Sequence, residues 1–466
     1  MFSSEIKAIR KHKNDFTHNS SLIDSYMTFG YVPGEDTLLN NVKRMLPGHY
    51  AILKDNNLDI VQYWDVNYDQ SEDLGEDYYV NKLGSLLDDS LSLRLRSDVP
   101  LGVFLSGGLD SSCVVALLAD KVNKPIKTFS VAYDFGQEYN ETRYARIIAK
   151  KFNTDHHETV ISPNDFMQFI PQYIYCMDEP VTESAAISLN YVSKLASDHV
   201  TVVLSGEGSD EIFAGYDLYK YMLVIEKVRK SLGSNNISAI CKLLKPLFGS
   251  NSKISKYLDL ASYSLEQRYR GISTYENRYK DMLYSNSFKN EISNGNKSSA
   301  DLFTASLFRN NTGYDCLSKM LNFDVKTWLV DDLLIKADRM SMASSLELRV
   351  PFLDYRLVEE AAKMPSKYKI KNGEGKYILK KMMENKLPKE IIYRKKMGFP
   401  TPLKIMFESH LKDYAFDTLL RDNSPLHDYF SRSSLEKMLI EHSSKQNDHH
   451  RTIWQMIVLQ EWLTIN

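Results

Sequence analysis

The sequence predicts an α/β fold: a parallel sheet with helices on both faces, then a largely helical C-terminal part, preceded by a small mixed segment. Three observations predict it. Short apolar runs alternate with helical spacings between residues 78 and 204, strand-like runs fade beyond Asp210, and two of the apolar runs open into Gly/Ser/acid loops. Strands separated by helices of this length run parallel and are buried on both faces.

Within residues 1–65, the stretch 2–9 mixes apolar and charged positions, 21–29 has helical spacing, and Tyr31-Val32-Pro33-Gly34 is a turn. Residues 49–53 and 58–64, joined through Asp55-Asn56-Asn57, read as a hairpin. That is too little for an independent core. The acidic stretch 69–77 serves as a linker. A helix is expected over 80–97, a strand over 99–105, a helix over 111–122, a strand over 127–133, a helix over 141–152 and a strand over 157–161. Helices over 164–176 and 185–197 lead to a buried-type strand over 200–204. Residues 217–345 read as mostly helical, interrupted by a polar surface loop at 284–300, and the chain closes with an amphipathic segment over 451–463.

Composition narrows the class. The 58 basic and 60 acidic residues leave a net charge of −2, which gives no global pull toward nucleic acid or an anionic membrane. Four cysteines (Cys113, Cys176, Cys241 and Cys316) stand far apart without a CxxC pair, so a reducing compartment fits better than a disulfide framework or a structural zinc. The N-terminus lacks the apolar core of a signal peptide, and no apolar stretch approaches the roughly 18 residues of a membrane span. These features describe a soluble, cytoplasmic protein.

The chemistry concentrates in two loops. Ser106-Gly107-Gly108-Leu109-Asp110-Ser111-Ser112 follows an apolar strand and opens a helix. Its glycines let backbone N–H groups approach an anion, its hydroxyls add donors, and the helix N-terminus favours negative charge. Asp110 is well placed there to hold Mg²⁺ against phosphate oxygens. An ordinary β–turn–α junction is the bland alternative. Ser205-Gly206-Glu207-Gly208-Ser209-Asp210-Glu211 has the same placement after the strand over 200–204. Ligands gather beyond the carboxyl ends of strands in open parallel sheets, so the two loops can face one another. Asp210 then completes a metal site with Asp110 and leaves Glu207 for proton transfer.

SGGLDSS resembles the pyrophosphate-binding loop of the ATP pyrophosphatase fold (adenine nucleotide alpha hydrolase-like), whose enzymes split ATP between the α and β phosphates. SGEGSDE followed by Ile212-Phe213-Ala214-Gly215-Tyr216 narrows the resemblance to the asparagine synthetase family. Asp178-Glu179-Pro180, the segment Lys336-Ala337-Asp338-Arg339-Met340-Ser341-Met342-Ala343, and 347–354 (ELRVPFLD) also match, in family order. So do Gly375-Lys376-Tyr377-Ile378-Leu379-Lys380, Lys396-Met397-Gly398-Phe399-Pro400 and the tryptophan-flanked end 454–462. The resemblance spans residues 75–466 and implies an asparagine synthetase domain there. Residues 1–68 resemble the last part of a glutaminase domain of the N-terminal nucleophile type.

By this resemblance Ser106 to Ser112, with Ser205, Gly206 and Tyr216, hold ATP and its pyrophosphate, and Phe129, Ser130 and Val131 meet adenine through their backbone. Asp110 and Asp210 bind Mg²⁺, Glu207 takes a proton from attacking ammonia, and Lys376 stabilises charge near the α-phosphate. The implied reaction activates aspartate as β-aspartyl-AMP and then forms asparagine. Family members also amidate surface-polysaccharide sugars or close amide rings in peptides and β-lactams, and a non-catalytic partner subunit is a rival from another class. A complete glutaminase carries a cysteine directly after the initiator methionine. Phe2 stands there, so the expectation is a chain fed by ammonia, from solution or from a separate glutaminase subunit. A homodimer is the expected assembly. His156-His157 and His449-His450 read as structural, because neighbours on a strand point to opposite faces, and Cys113 reads as a small core residue.

Overall fold

The computed structural model describes residues 1–13, 16–135, 141–232, 253–272, 277–294, 299–309, 311, 313–395 and 401–466. The predicted segment 396–400 and Cys241 lie outside the described residues. Five parallel strands form the central sheet: β3 (Leu101–Phe104), β4 (Lys127–Tyr133), β5 (Asp155–Ile161), β6 (Val202–Leu204) and β7 (Glu347–Arg349), in the order β5-β4-β3-β6-β7. A separate antiparallel hairpin, β1 (His49–Lys54) with β2 (Asn57–Gln62), precedes them. The chain thus builds outward on one side of β3 and then returns to its other side, so the strand order reverses between β3 and β6. Such a switch point opens a crevice at the carboxyl ends of the strands.

Alternation along the strands feeds two apolar layers. Val103 and Leu204 join the larger core with Val114, Val115 and Ile148, whereas Phe129 and Val203 pack with Val192, Ala196 and Leu346. The sheet is therefore buried on both faces, as its continuous apolar strands require. The helix Pro163–Met177 starts cleanly because Ser162 and Asp165 form a capping box, each side chain bonding the other's backbone N–H.

Three expectations need correction. β7 was not anticipated, since strand signals fade beyond Asp210; it is only Glu-Leu-Arg, and it exists through its pairing with β6. The described part of 284–300 is not a surface loop. The helix Asn286–Asn294 runs through it, with Tyr284 and Phe288 buried and Ile292 packed against the core. Their four-residue spacing is a helical stripe hidden among polar neighbours. The closing helix His450–Ile465 is not amphipathic, because every residue from Ile453 to Gln460 is buried. Its Trp454 and Trp462 indole N–H groups donate to the carbonyls of Thr182 and Asp178, at 2.9 and 2.8 Å. On another side Gln455 and Tyr26 exchange side-chain-to-backbone bonds at 2.8 Å. The helix thus ties the first residues of the chain to the body of the molecule, and Asp178 does the same by accepting the N–H groups of Ile6 and Lys7. No helix among the described residues is long and apolar enough to cross a membrane.

Candidate active site

The two predicted loops meet at the β3/β6 switch point. Asp110 already belongs to the first turn of the helix Leu109–Ala119, whose N-cap is Gly108. Upstream the loop closes on itself: Ser111 Oγ accepts the Ser106 N–H at 3.2 Å, and Ser106 Oγ accepts the Gly108 N–H at 3.3 Å. Gly107 turns away from the crevice with φ +70°, and a Cβ there would lie 2.4 Å from the Ala145 nitrogen. Only glycine lets this loop rest on the helix Thr142–Phe152.

The second loop packs directly on the first. A Cβ on Gly206 would sit 2.8 Å from both the Asp110 Cβ and the Ser111 nitrogen, and Ser209 Oγ donates to Asp110 Oδ1 at 2.8 Å. Between the loops lies the ammonium of Lys376, 2.6 Å from Asp110 Oδ1 and 2.7 Å from Asp210 Oδ1. Burial opposes its charge, but Asp110 and Asp210 outweigh burial and hold it above the ordinary lysine value. Lys376 has left-handed backbone (φ 54°), a conformation costing roughly 1–3 kcal/mol in a non-glycine residue. Its N–H donates to the Phe213 carbonyl at 3.1 Å, and the two carboxylates fix its side chain.

A cavity of about 760 Å³ opens from this centre. Ser106, Gly108, Leu109, Asp110, Ser111, Phe129, Ser130, Val131, Ser205, Gly206, Glu207, Asp210, Tyr216 and Lys376 all line it. Gly107 and Ser112 do not: the first faces the helix beneath it, and the second is wholly buried, its hydroxyl without a partner among the described residues. β3 ends at Phe104, and the Leu105 N–H donates to the Phe129 carbonyl at 2.8 Å. Two residues further on, the backbone groups of Val131 therefore face the space beyond the end of β3.

Glu207 is a cavity carboxyl whose chemistry is strongly altered. Burial pushes its carboxyl up to about 7, Lys336 opposes the rise, and Glu211 and Glu183 reinforce it. Its Oε2 has no hydrogen-bond partner among the described residues. A carboxylate poised near neutrality and free to accept is suited to general-base work. Sequence reasoning missed Lys336 and Glu183, which also line the cavity. Lys336 opens a segment that the sequence does mark, but only tertiary packing shows that this lysine is buried against the cavity. It also passed over Arg394, which pairs with Glu141 at 2.9 Å on the cavity wall.

The two carboxylates around Lys376 offer hard oxygen donors converging on a cation. Among the described residues no group of three or more His, Cys, Asp or Glu side chains is arranged to hold a metal. A pair of carboxylates completed by phosphate and water oxygens is how magnesium is commonly held at nucleotide sites, so Asp110 and Asp210 fit that ion.

Residues 82–464 match the asparagine synthase family, and residues 1–64 match a glutamine amidotransferase domain. The chain is 33% identical over 472 residues to asparagine synthetase (glutamine-hydrolyzing) 1 of Bacillus subtilis, covering 100% of this chain and 72% of that protein. It is 32% identical over 454 residues to a putative asparagine synthetase (glutamine-hydrolyzing) of Mycobacterium tuberculosis, covering 95% and 67%. Asparagine synthetase (glutamine-hydrolyzing) of Mus musculus is 26% identical over 405 residues, covering 80% and 56%. A crevice between two Gly/Ser/acid loops at the strand-order reversal, with ordered sequence matches running to the last helix, agrees with these likenesses: the chain belongs to the asparagine synthase family.

Proposed function

We propose that this chain is an ATP-dependent carbon–nitrogen ligase that activates aspartate as β-aspartyl-AMP, releases pyrophosphate, and forms asparagine with ammonia. The observation that carries the reading is the Lys376 ammonium bridging Asp110 and Asp210 where the two loops touch, with Glu207 in the same cavity. Ser106, Gly108 and Ser111 bind the phosphates through N–H and hydroxyl donors, and Gly107 and Ser112 shape that loop from behind. The backbone of Val131 receives adenine at the open side of β4, with Phe129 and Ser130 lining the cavity beside it. Asp110 and Asp210 would hold a magnesium ion, whose charge neutralises phosphate oxygens when bound. Lys376 moves its positive charge toward the α-phosphate as pyrophosphate departs. Glu207, ionised above about pH 7, accepts the proton that ammonia loses on attacking the adenylated carboxylate.

The proposed units are a glutaminase-like segment over 1–68 and a synthetase domain over 75–466. Nitrogen comes as free ammonia or from a separate glutaminase subunit. Support for such a subunit is the hairpin, which leaves Tyr50, Ile52, Leu53, Leu58 and Ile60 exposed on both faces. Cytoplasmic residence is supported by Cys113, Cys176 and Cys316, all free thiols. A second reading keeps the chemistry and changes the acceptor to a sugar or peptide carboxylate. The test is AMP and pyrophosphate release by the purified chain with ATP, magnesium and a panel of carboxylates, supplied with ammonium or glutamine. Aspartate with ammonium should give asparagine, and glutamine alone should not. Release with another carboxylate but none with aspartate would overturn the proposed acceptor.

A further inference from the structure

The acidic stretch 69–77, expected as a linker, is fastened to the body of the molecule side chain by side chain. Gln70 Nε2 donates to the Met364 carbonyl at 2.9 Å and to Ser318 Oγ at 3.0 Å. Asp73 accepts from Lys367 Nζ and, at 3.0 Å, from Tyr368 Oη. Glu76, the first residue of the helix Glu76–Arg94, accepts from Lys371 Nζ at 2.7 Å and from Tyr377 Oη at 3.0 Å. Lys371 Nζ also donates to Tyr377 Oη at 3.0 Å, which closes a triangle of hydrogen bonds. These bonds, that from Lys371 foremost, hold the Glu76 carboxyl below its ordinary value although burial opposes them.

Lys371 and Tyr377 are the two stems of the loop that presents Lys376. Between them, Lys371 and Glu374 exchange backbone hydrogen bonds at 3.1 and 2.9 Å. Asn372 and Gly373 lie at the tip, both at positive φ (53° and 78°), which is the pattern of a tight two-residue hairpin. Gly375 then passes so close to Ala214 that a Cβ there would lie 2.4 Å from the Ala214 carbonyl oxygen. Gly373, Glu374, Gly375 and Lys376 all line the cavity. Lys376 keeps its left-handed backbone only because its surroundings over-determine it, and the held stems are part of those surroundings. Under the proposed function, on which this inference rests, the Lys376 ammonium must reach the α-phosphate as pyrophosphate leaves. We infer that Glu76 is a positioning residue for Lys376: by holding both stems of the loop, it sets where the ammonium lies between Asp110 and Asp210. The Glu76 and Lys371 side chains are 26% and 41% exposed, so each bond is weak alone, and the effect comes from their joint hold on one short loop.

The experiment measures pyrophosphate release and backbone hydrogen exchange in wild type, Glu76→Gln, Tyr377→Phe and the double variant, with ATP, magnesium, ammonium and aspartate. Glu76→Gln should lower kcat about 3- to 10-fold while the ATP KM stays within about twofold, because Lys376 acts on the transition state. Tyr377→Phe should lower kcat by less and serves as the test if Glu76→Gln does not fold. Added to Glu76→Gln it should cost little more, because both changes release the same clamp. Exchange across residues 371–377, which include the Lys376 N–H, should quicken about 3- to 10-fold in Glu76→Gln, with the helix His450–Ile465 unmoved. A wild-type kcat in Glu76→Gln, a rise in KM alone, or losses that multiply in the double variant would overturn the inference. Unmoved exchange in Glu76→Gln would overturn it whether or not the chain is active. If the wild-type chain releases no pyrophosphate with aspartate or any other carboxylate, the proposed function falls, and quickened exchange would still show Glu76 holding the loop.

Discussion

Replacing Lys376 with methionine tests the charge centre without reference to turnover. The substitution keeps an unbranched apolar chain of similar length but leaves Asp110 and Asp210 facing one another without their common cation. Breaking a buried ion pair by deleting one partner costs about 3–5 kcal/mol. Lys376 is 6% exposed along its side chain, whereas Asp110 and Asp210 are 22% and 16% exposed, so water screens part of the repulsion. Relief of the left-handed backbone is not expected, because methionine is strained there too. The expected loss is about 2–3 kcal/mol once this screening is allowed for. Urea unfolding followed by tryptophan fluorescence measures it, since Trp454 and Trp462 are buried. Magnesium should then act as a substitute cation: ligand binding to the native state alone adds about 1.4 kcal/mol for each tenfold excess over its dissociation constant. Millimolar magnesium should therefore stabilise the variant by about 1 kcal/mol or more, and the wild type by less, because Lys376 occupies the position. Equal stabilisation of both proteins, or a variant as stable as wild type without magnesium, would refute the assignment of Asp110 and Asp210 as a cation site.

Glu207→Gln should suppress amide formation by about 10²–10⁴-fold while sparing adenylation, read by quench-flow detection of the acyl-adenylate. In wild type, amide formation should fall as pH drops through about 7, and equal losses in both half-reactions would place Glu207 in nucleotide binding instead. Gly206→Ala should cost about 1–3 kcal/mol and weaken ATP-dependent pyrophosphate release, because the new Cβ lands 2.8 Å from Asp110 Cβ; wild-type stability and rate would show that the loops yield. Burial pushes the Asp324 carboxyl up to about 8 although Tyr269 and Tyr219 donate to it. The unfolded chain ionises this group first, so native stability should fall between about pH 4 and 8. Asp324→Asn should flatten that slope in urea titrations, and an unchanged slope would reject the assignment.

What could be read in the sequence follows from how local each determinant is. β4 and the helix Ala185–Ser197 fall where expected because an unbroken apolar run and a helical stripe are properties of a few neighbours. β7 is held by pairing with residues more than a hundred positions away, and its Glu-Leu-Arg sequence carries no apolar run to betray it. The closing helix misled for a related reason: Gln455 and Gln460 look like a polar face, but their amides are buried and bonded to Tyr26 and Thr464. The same divide runs through the candidate site. Gly/Ser/acid loops announce themselves, because tight turns and exposed donors need those residue types at those spacings. A lysine does not announce its burial. Lys376 entered only through the family resemblance, and Lys336 only through its tertiary surroundings.

The loop over 205–211 couples the two ends of the cavity, and this shapes how its variants must be read. Asp210 sits three residues beyond Glu207, and Gly206, just before it, touches Asp110 and Ser111 of the other loop. Any change that shifts the backbone moves the proposed base and a proposed magnesium ligand together, so it would damage both half-reactions whichever residue was altered. Only a substitution that leaves the backbone and side-chain shape alone can separate proton transfer from adenylation. Glu207→Gln meets that condition. Its Oε2 has no partner to lose among the described residues, so the amide replaces a buried acceptor without breaking a bond there. It also removes a negative charge that Lys336 feels. A change in acceptor affinity in Glu207→Gln would thus report on that altered charge balance, whereas the amide-forming rate at saturating acceptor would report on the base. The two quantities have to be measured separately before either role is assigned.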